Sequence, residues 1–409
     1  MRATLPRTGL PNLPGLRRAN LRELNTIVYV LLAIGALIAP MIISFAIPNE
    51  FGSTVGQLAD AGVWVLLAIG LNIVVGFAGL LDLGYAAFFA IGAYTYAMLA
   101  SGQLASSPIH HAIHLPFWLL LFVAVVAAAT FGVILGAPTL RLRGDYLAIV
   151  TLGFGEIVPR VFRNLKDWTG GVNAISAIDQ PTLPAWLQGP WAGGLNLGVV
   201  SPFAFSFDPV AYYVLIVILV FGCVILVNNL YRSRLGRAWM AVREDEVAAA
   251  AMGVNTVTIK LLAFSLGASF SGFAGAYYGA KLSLVGPDNF SFTVSVTVLA
   301  MVVLGGMGNI PGVIVGALAL YYVLFWFLGK LPGWGTEFAS NVGLQSINSA
   351  HGAWPGLGQL LQNSNFLILG LILVLIMLLR PQGLIPSRER EQELVAGVAE
   401  QSVFDARTA

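Results

Sequence analysis

The chain has 409 residues, of which 57% are hydrophobic and 10% are charged, and its mean hydropathy is +0.83. Soluble domains usually carry about a quarter charged residues, so this composition excludes an ordinary soluble protein. The net charge of +2 is uninformative, and the single cysteine, Cys223, excludes an internal disulfide.

The first 25 residues form a basic segment without a long apolar run. The apolar segment that follows, 26–47, is too long for the core of a signal peptide, and no small-residue cleavage site follows it. We interpret it as an uncleaved first span. The predicted organisation is therefore a basic segment at 1–25, a transmembrane domain at 26–380 and a tail at 381–409.

Several apolar segments of about 20 residues are long enough to cross a hydrocarbon core of roughly 30 Å as helices, and we place ten spans in all. Lipid offers the backbone no hydrogen-bond partners, so helices are the expected structure. The predicted fold is an all-α, polytopic membrane helix bundle of about ten transmembrane helices. The segments lie near 26–47, 55–75, 84–100, 116–139, 147–163, 209–229, 258–280, 291–306, 311–329 and 365–380.

An even number of spans places both termini on the same face. With this arrangement, 16 of the 21 basic residues fall on that face. Because basic residues concentrate in cytoplasmic segments, both termini are predicted to be cytoplasmic. Two long segments, about 165–208 and 331–364, are then external. We interpret each either as a lid or docking surface for an external partner or as a plain loop.

Glycine is frequent, with 46 residues. In the seventh segment small residues recur at every fourth position, which predicts close helix packing rather than a substrate path; they are Ala263, Gly267, Ser271, Gly275 and Gly279. Gly132 and Gly136 indicate a similar contact. Two glycine runs, 76–84 and 305–312, interrupt apolar segments, and they suit either helix ends exposed to a solute or tight turns.

The most informative segment, 232–255, is predicted to be cytoplasmic. Good helix formers from Ala238 to Met252, followed by Gly253, predict one short coupling helix at about 238–254. One of its faces is shallow and carries Ala241, Asp245, Ala248 and Met252. An amphipathic helix on the membrane surface is the alternative, but anionic lipid repels the three consecutive acids 244–246, which favours a protein partner.

This segment resembles the coupling loop of ABC-importer permeases, a loose pattern that Glu246, Ala248, Ala249 and Gly253 match. Longer stretches resemble branched-chain amino acid permeases of the LivM type. Together the matches run from about residue 60 to 385. The stretches are 70–79, 140–157 with 168–171, and the closing Arg380-Pro-Gln-Gly383-Leu384.

The resemblance implies a multi-pass permease of the bacterial plasma (inner) membrane that imports branched-chain amino acids. Its implied partners are a homologous second permease, two cytoplasmic ATPases, an external solute-binding protein and the lipid bilayer, with no nucleic acid. No Gly-x-x-x-x-Gly-Lys-Ser/Thr occurs in the chain, so we expect no enzyme activity and no cofactor here, with ATP and Mg bound by the partner ATPases. The residues assigned to ATPase coupling are Arg237, Arg243, Glu244, Asp245, Glu246, Ala249 and Gly253.

Polar residues inside predicted spans or next to their ends are candidates for the translocation path, because a charge near mid-bilayer costs about 2.5–3.5 kcal/mol on insertion scales. Glu156 lies one helical turn before Arg160, so it is either half of an ion pair or part of the path. The candidate path residues are Asn72, Asp82, Thr151, Glu156 and Asn309.

Three rival functions remain open. An ion-coupled secondary transporter would not need the coupling helix, and an intramembrane enzyme would need a metal set or a paired nucleophile and base. His111 and His114 fall in a predicted external loop, and no metal site is predicted. A permease for urea or short amides shares the fold and the closing Arg-Pro-Gln-Gly. The run 144–152 favours amino acids.

Overall fold

The computed structural model describes residues 20–46, 48–108, 110–139, 145–182, 208–343, 345–350 and 355–364, with scattered positions from 367 to 385. Contacts divide the chain into two units, Met1–Pro48 and Asn49–Ala409. The first unit contributes one apolar helix, α1 (Asn20–Ala46), with Pro40 inside it. All other elements belong to the second unit.

Membrane-spanning character is confirmed by seven helical stretches among the described residues that are long and apolar enough to cross a bilayer. A shorter apolar helix covers the third predicted segment, and a helix that carries charges covers the fifth. The tenth segment, 365–380, lies mostly outside the described residues. The seven stretches are Val28–Ala46, Phe51–Phe77, Phe117–Thr139, Pro209–Arg232, Thr256–Leu282, Pro287–Gly305 and Ile310–Asn341.

The helices of the second unit follow in chain order. They are α2 (Phe51–Asn72), α3 (Tyr85–Leu99), α4 (Phe117–Thr139), α5 (Asp145–Asn164), α6 (Lys166–Thr169), α7 (Pro209–Arg232), α8 (Arg234–Glu244), α9 (Glu246–Ala251), α10 (Thr256–Leu282), α11 (Phe292–Gly305), α12 (Ile310–Tyr321), α13 (Leu328–Asn341), α14 (Gln345–Asn348) and α15 (Leu357–Asn363). Two π-helical segments, Ile73–Phe77 and Tyr322–Phe327, extend α2 and join α12 to α13.

Helix α10 lies at the centre of the bundle, in contact with α2, α3 and α4. The predicted close packing is confirmed. A Cβ atom on Gly275 would come within 2.6 Å of the Phe89 carbonyl oxygen in α3, and one on Gly132 in α4 would come within 2.8 Å of the Ala268 Cβ. Only glycine lets these backbones approach so closely, and such contacts hold helices together in lipid.

Two short antiparallel ladders lie where α3 and α10 end. Strand β1 (Ala100–Ser101) pairs with β2 (Ile113–His114), and β3 (Ile175–Ser176) pairs with β4 (Leu284–Val285). Because α10 has 27 residues, its two ends are about 40 Å apart. The ladders therefore mark one end of the bundle, and α8 and α9, which precede α10, mark the other. We call these the ladder end and the α8–α9 end.

Most described residues of the predicted external loop 331–364 are helical, so the plain-loop interpretation is wrong for them, whereas the lid or docking interpretation stays a prediction. The helix that begins at Ile310 continues to Asn341, beyond the predicted boundary at 329, and α15 packs back against α13. The physical reason is that loss of apolar character marks where a span can leave the membrane. It does not mark where the backbone stops making helical hydrogen bonds.

Several predicted features lie outside the described residues. They are positions 1–19 of the basic segment, 183–207 of the first long loop, Arg380-Pro-Gln of the closing motif, the start of the 140–157 stretch and the tail beyond 385.

Candidate functional site

The prediction of a single coupling helix at about 238–254 is wrong, because the structure contains two helices, α8 and α9, that meet at Asp245. The Asp245 carboxylate accepts hydrogen bonds from the backbone N–H groups of Val247 and Ala248 at 2.8 and 3.0 Å. An aspartate that caps a helix in this way starts a new helix. The shallow face predicted from 241 to 252 therefore does not exist as one surface.

Three such caps set the path of the chain through this region. Ser233 caps α8, Asp245 caps α9 and Asn255 caps α10, each by accepting hydrogen bonds from the first turn of its helix. The predicted helix end is confirmed at Gly253, which has a φ of +86°. Glycine adopts this left-handed conformation at little cost, so the chain turns sharply from α9 into α10.

Helix α8 is fixed to the start of α10. The indole of Trp239 is fully buried, and its Nε1 donates to the Ile259 carbonyl oxygen at 2.7 Å. Close by, the buried Lys260 ammonium pairs with the Glu246 carboxylate at 2.6 Å. These contacts join α8, α9 and α10 into one unit, so a displacement of α8 or α9 also displaces α10.

Arg243 connects α8 to the end of α2. Its Nη1 donates to the Gly76 carbonyl oxygen at 2.5 Å, and its side chain covers Gly79 so closely that a Cβ there would lie 2.8 Å from Cγ. The family resemblance predicts a role for Arg243 in ATPase coupling. In this structure its guanidinium contacts the transmembrane domain.

The exposed surface at this end is shared by α8, α9 and the turn after α9. Val247 is 70% exposed and Met252 is 86% exposed, although both side chains are apolar. Arg237, Glu244 and Asp245 are also exposed, whereas Ala249 is buried. The exposed surface is thus a small apolar tip beside charged residues.

The two glycine runs, far apart in sequence, meet beneath α8. Asn72 Oδ1 accepts a hydrogen bond from the backbone N–H of Gly308 at 2.9 Å. Residues 384 and 385 also contact this region. Leu384 N donates to the Leu304 carbonyl, and Asn309 Nδ2 donates to the Ile385 carbonyl. The runs therefore form a tight helix junction in this structure.

Asp82 and Thr151, two other path candidates, lie close together at a second junction. Asp82 Oδ1 accepts from the backbone N–H of Gly84 at 2.9 Å, and Thr151 Oγ1 accepts from the N–H of Leu83 at 3.1 Å. Both side chains are buried. They fix the segment between α2 and α3 against α5.

Comparison with known proteins places this architecture in a family. The family described as "Branched-chain amino acid transport system / permease component" matches residues 53–378. The chain belongs to this permease family. It is 38% identical over 374 residues to the high-affinity branched-chain amino acid transport system permease protein LivM of Escherichia coli (strain K12), covering 89% of this chain and 77% of the relative.

Other relatives agree. The LivM protein of Salmonella typhimurium (strain LT2) is 39% identical over 347 residues, which is 82% of this chain and 71% of the relative. The LivH permease protein of E. coli (strain K12) is 27% identical over 262 residues, or 63% of this chain and 79% of the relative. No solved structure matches significantly. The chain is a multi-pass membrane permease subunit of an importer, as predicted.

Within this permease, Glu156 and Arg160 form the predicted ion pair, with Nη2 3.0 Å from Oε2. His114, which lies in a predicted external loop, contacts Asp179 at 2.5 Å at the ladder end. Both residues line an open cavity of about 730 Å³ there. Whether Glu156 lies on the translocation path stays a prediction, as it does for Asn72, Asp82, Thr151 and Asn309.

One of the ion pairs that the sequence does not predict joins α2 to α10. Lys281, in the last turn of α10, contacts Asp60 in α2 at 2.5 Å between Nζ and Oδ1. A signal was present in the sequence, because Asp60 is the one acid within the apolar helix α2, and an acid in such a helix requires a partner. The partner is not predictable from sequence, since 221 residues separate the two positions.

Proposed function

We propose that this permease carries branched-chain amino acids across the bacterial inner membrane, driven by ATP that two cytoplasmic partner chains hydrolyse. An external solute-binding protein delivers the substrate, and a second, homologous permease completes the pathway. The observation that carries the proposal is the connection of α8 and α9 to α10 through Trp239 and Lys260 and to α2 through Arg243. A displacement of the exposed tip of α9 would therefore be transmitted to both α10 and α2.

The substrate follows from the relatives, whose names describe high-affinity branched-chain amino acid transport systems. The partner permease is inferred from the resemblance of this chain to both LivM and LivH. The ATPases are inferred from the exposed α9 tip and from the absence of a nucleotide-binding motif in the sequence.

We further propose ten spans with both termini and α8–α9 in the cytoplasm. In support, four segments meet at one end of the bundle: the two glycine runs, α8 with α9, and residues 383–385. The charge distribution assigns all of them to the cytoplasmic face.

The test of this orientation replaces Cys223 by Ser and places one cysteine at Met252 or Leu282. In intact spheroplasts, an impermeant maleimide should label Leu282→Cys and spare Met252→Cys. The reverse pattern would refute this orientation.

Transport is tested by uptake of radiolabelled leucine into proteoliposomes that contain the permease pair, the ATPases and the binding protein. Uptake that requires this chain and stops when the ATPase is inactivated supports the proposal. Uptake of urea or a short amide instead of leucine would change the substrate. Uptake that survives ATPase inactivation and collapses with the ion gradient would replace the importer with a secondary transporter.

A further inference from the structure

A second, smaller cavity of about 280 Å³ lies toward the ladder end, among residues of α2, α3, α10 and the π-helical segment after α12. Its wall is mainly aromatic and aliphatic, with the Asp60 carboxylate and the Asn289 amide as polar groups; the main lining residues are Asp60, Trp64, Leu67, Phe89, Tyr278 and Phe325. Sites for drug-sized ligands occupy about 300–1,000 Å³, so this cavity suits a small molecule with an apolar side chain.

The carboxylate in the wall can recognise the ammonium group of an amino acid. The Lys281 ammonium donates to Asp60 Oδ1 at 2.5 Å and to the Gly56 carbonyl at 2.7 Å, and so holds the carboxylate in place. The Asp60 carboxylate retains acceptor sites for an ammonium group. Asp60 lines the cavity and is partly exposed, whereas Lys281 is nearly buried beside it.

The apolar wall is fixed by stacking between rings. The Trp64 and Phe325 centroids lie 5.2 Å apart, and those of Phe89 and Tyr278 lie 5.3 Å apart. Ring pairs at such distances attract one another and limit each other's movement. A cavity with a fixed apolar shape discriminates among aliphatic side chains by how well they fill it.

The cavity also shares its walls with the coupling machinery. Helix α2 carries Asp60 and leads into Gly76, which Arg243 contacts, and α10 carries Lys281 and begins beside the Lys260–Glu246 pair. Movement of α8 and α9 would therefore shift both halves of the ion pair. Since α2 and α10 move with α8 and α9, the cavity can change shape when the ATPases act.

We propose that this cavity is a substrate site on the translocation path. It takes a zwitterionic amino acid with a branched aliphatic side chain, with the ammonium at Asp60 and the side chain against the rings of Trp64 and Phe325. This inference rests on the proposed function and assigns its substrate contacts.

The test uses the complete importer in proteoliposomes, with leucine uptake measured over a range of substrate-loaded binding protein. The neutral pair Asp60→Asn with Lys281→Met leaves no unpaired charge, and its uptake should fall at least tenfold while ATP hydrolysis and subunit assembly persist. The reversed pair, Asp60→Lys with Lys281→Asp, keeps the bridge but moves the carboxylate, and should be equally impaired. Asp288→Asn, which also removes an ion-paired aspartate, should behave as the unmodified chain.

A second variant does not disturb the charges. Leu67→Phe fills part of the cavity and should lower the ratio of leucine to alanine uptake about tenfold, since a methylene-sized change in an apolar pocket discriminates by roughly 10- to 200-fold. In parallel, a diazirine analogue of leucine should label peptides of α2 or α10, and excess leucine should prevent that labelling.

Three results would overturn the inference while leaving the proposed function intact. They are normal leucine uptake by the neutral pair, full recovery by the reversed pair, and an unchanged uptake ratio for Leu67→Phe with labelling elsewhere. Absence of leucine uptake by the unmodified importer would instead overturn the proposed function, and the inference with it.

Discussion

Asn72 at the end of α2 accepts a hydrogen bond from the backbone N–H of Gly308, across 236 residues of sequence and a distance of 2.9 Å. Asn72 is buried, so no water can replace this acceptor. The bond joins the two glycine runs beneath α8, where α2, α11 and α12 converge.

Replacement of Asn72 by Ala should lower the free energy of unfolding of the purified permease by about 1–3 kcal/mol, because the partly buried Gly308 N–H loses its acceptor. Denaturant titration in detergent micelles measures the change. Asn309→Ala is the matched comparison, since it removes a donor to the Ile385 carbonyl oxygen rather than the acceptor of a backbone N–H. An Asn72→Ala protein as stable as the unmodified one would contradict this role.

Replacement of Gly76 by Ala should disrupt the same junction. The added Cβ would collide with the Asn72 side chain and lie 2.6 Å from the Gly308 nitrogen, and crowding of this kind costs about 1–3 kcal/mol. Thermal unfolding of the purified protein should show a lower midpoint. Gly222→Ala in α7 is the control, because its Cβ meets nothing within 4 Å; there the midpoint should stay or rise, since alanine favours a helix.

The Lys260–Glu246 pair should respond asymmetrically to substitution. Glu246→Gln leaves a buried ammonium without its carboxylate and should cost about 3 kcal/mol of stability. Lys260→Met should cost less, because the Glu246 carboxylate is 34% exposed and remains hydrated. The double variant should regain most of the loss. Equal costs for both single variants, measured by denaturant titration, would show that burial of Lys260 is not the deciding factor.

Arg243 and Glu244 are neighbours in sequence but should have different effects. Arg243→Ala should keep the ATPases bound yet reduce leucine transported per ATP hydrolysed, because Arg243 contacts α2 through the Gly76 carbonyl. Glu244→Gln, on the exposed side of α8, should weaken ATPase binding. Co-purification and the transport-to-hydrolysis ratio distinguish the two. Loss of the ATPases from Arg243→Ala would contradict the assignment.

The apolar tip of α9 should bind the ATPase directly. Val247→Ala or Met252→Ala should each weaken ATPase binding about tenfold, since truncation of an anchoring side chain at an interface typically costs at least 1 kcal/mol. Leu226→Ala, a similar truncation on the exposed side of α7, is the control and should bind normally. Normal binding by both α9 variants would place the ATPase contact elsewhere.

The sequence alone determined the class of protein, the positions of the seven described helices that are long and apolar enough to cross a membrane, and the close packing around Gly132 and Gly275. These are local properties: apolar length, helical spacing and the lack of a side chain act wherever the segment lies. The helix end at Gly253 and the Glu156–Arg160 pair are local for the same reason, because their partners lie within one or two turns of the same helix.

Only the tertiary structure decided which distant residues meet. The bonds of Asn72 to Gly308 and of Asp60 to Lys281 depend on how α2 packs against α10 and α12, and no periodicity within one helix encodes a partner more than 200 residues away. The break at Asp245 has a local cause, the capping of α9 by the Asp245 carboxylate, but the surrounding helix formers predict one continuous helix. The sequence predicts Arg243 to be a surface residue, but in the fold its side chain contacts Gly76 and Gly79.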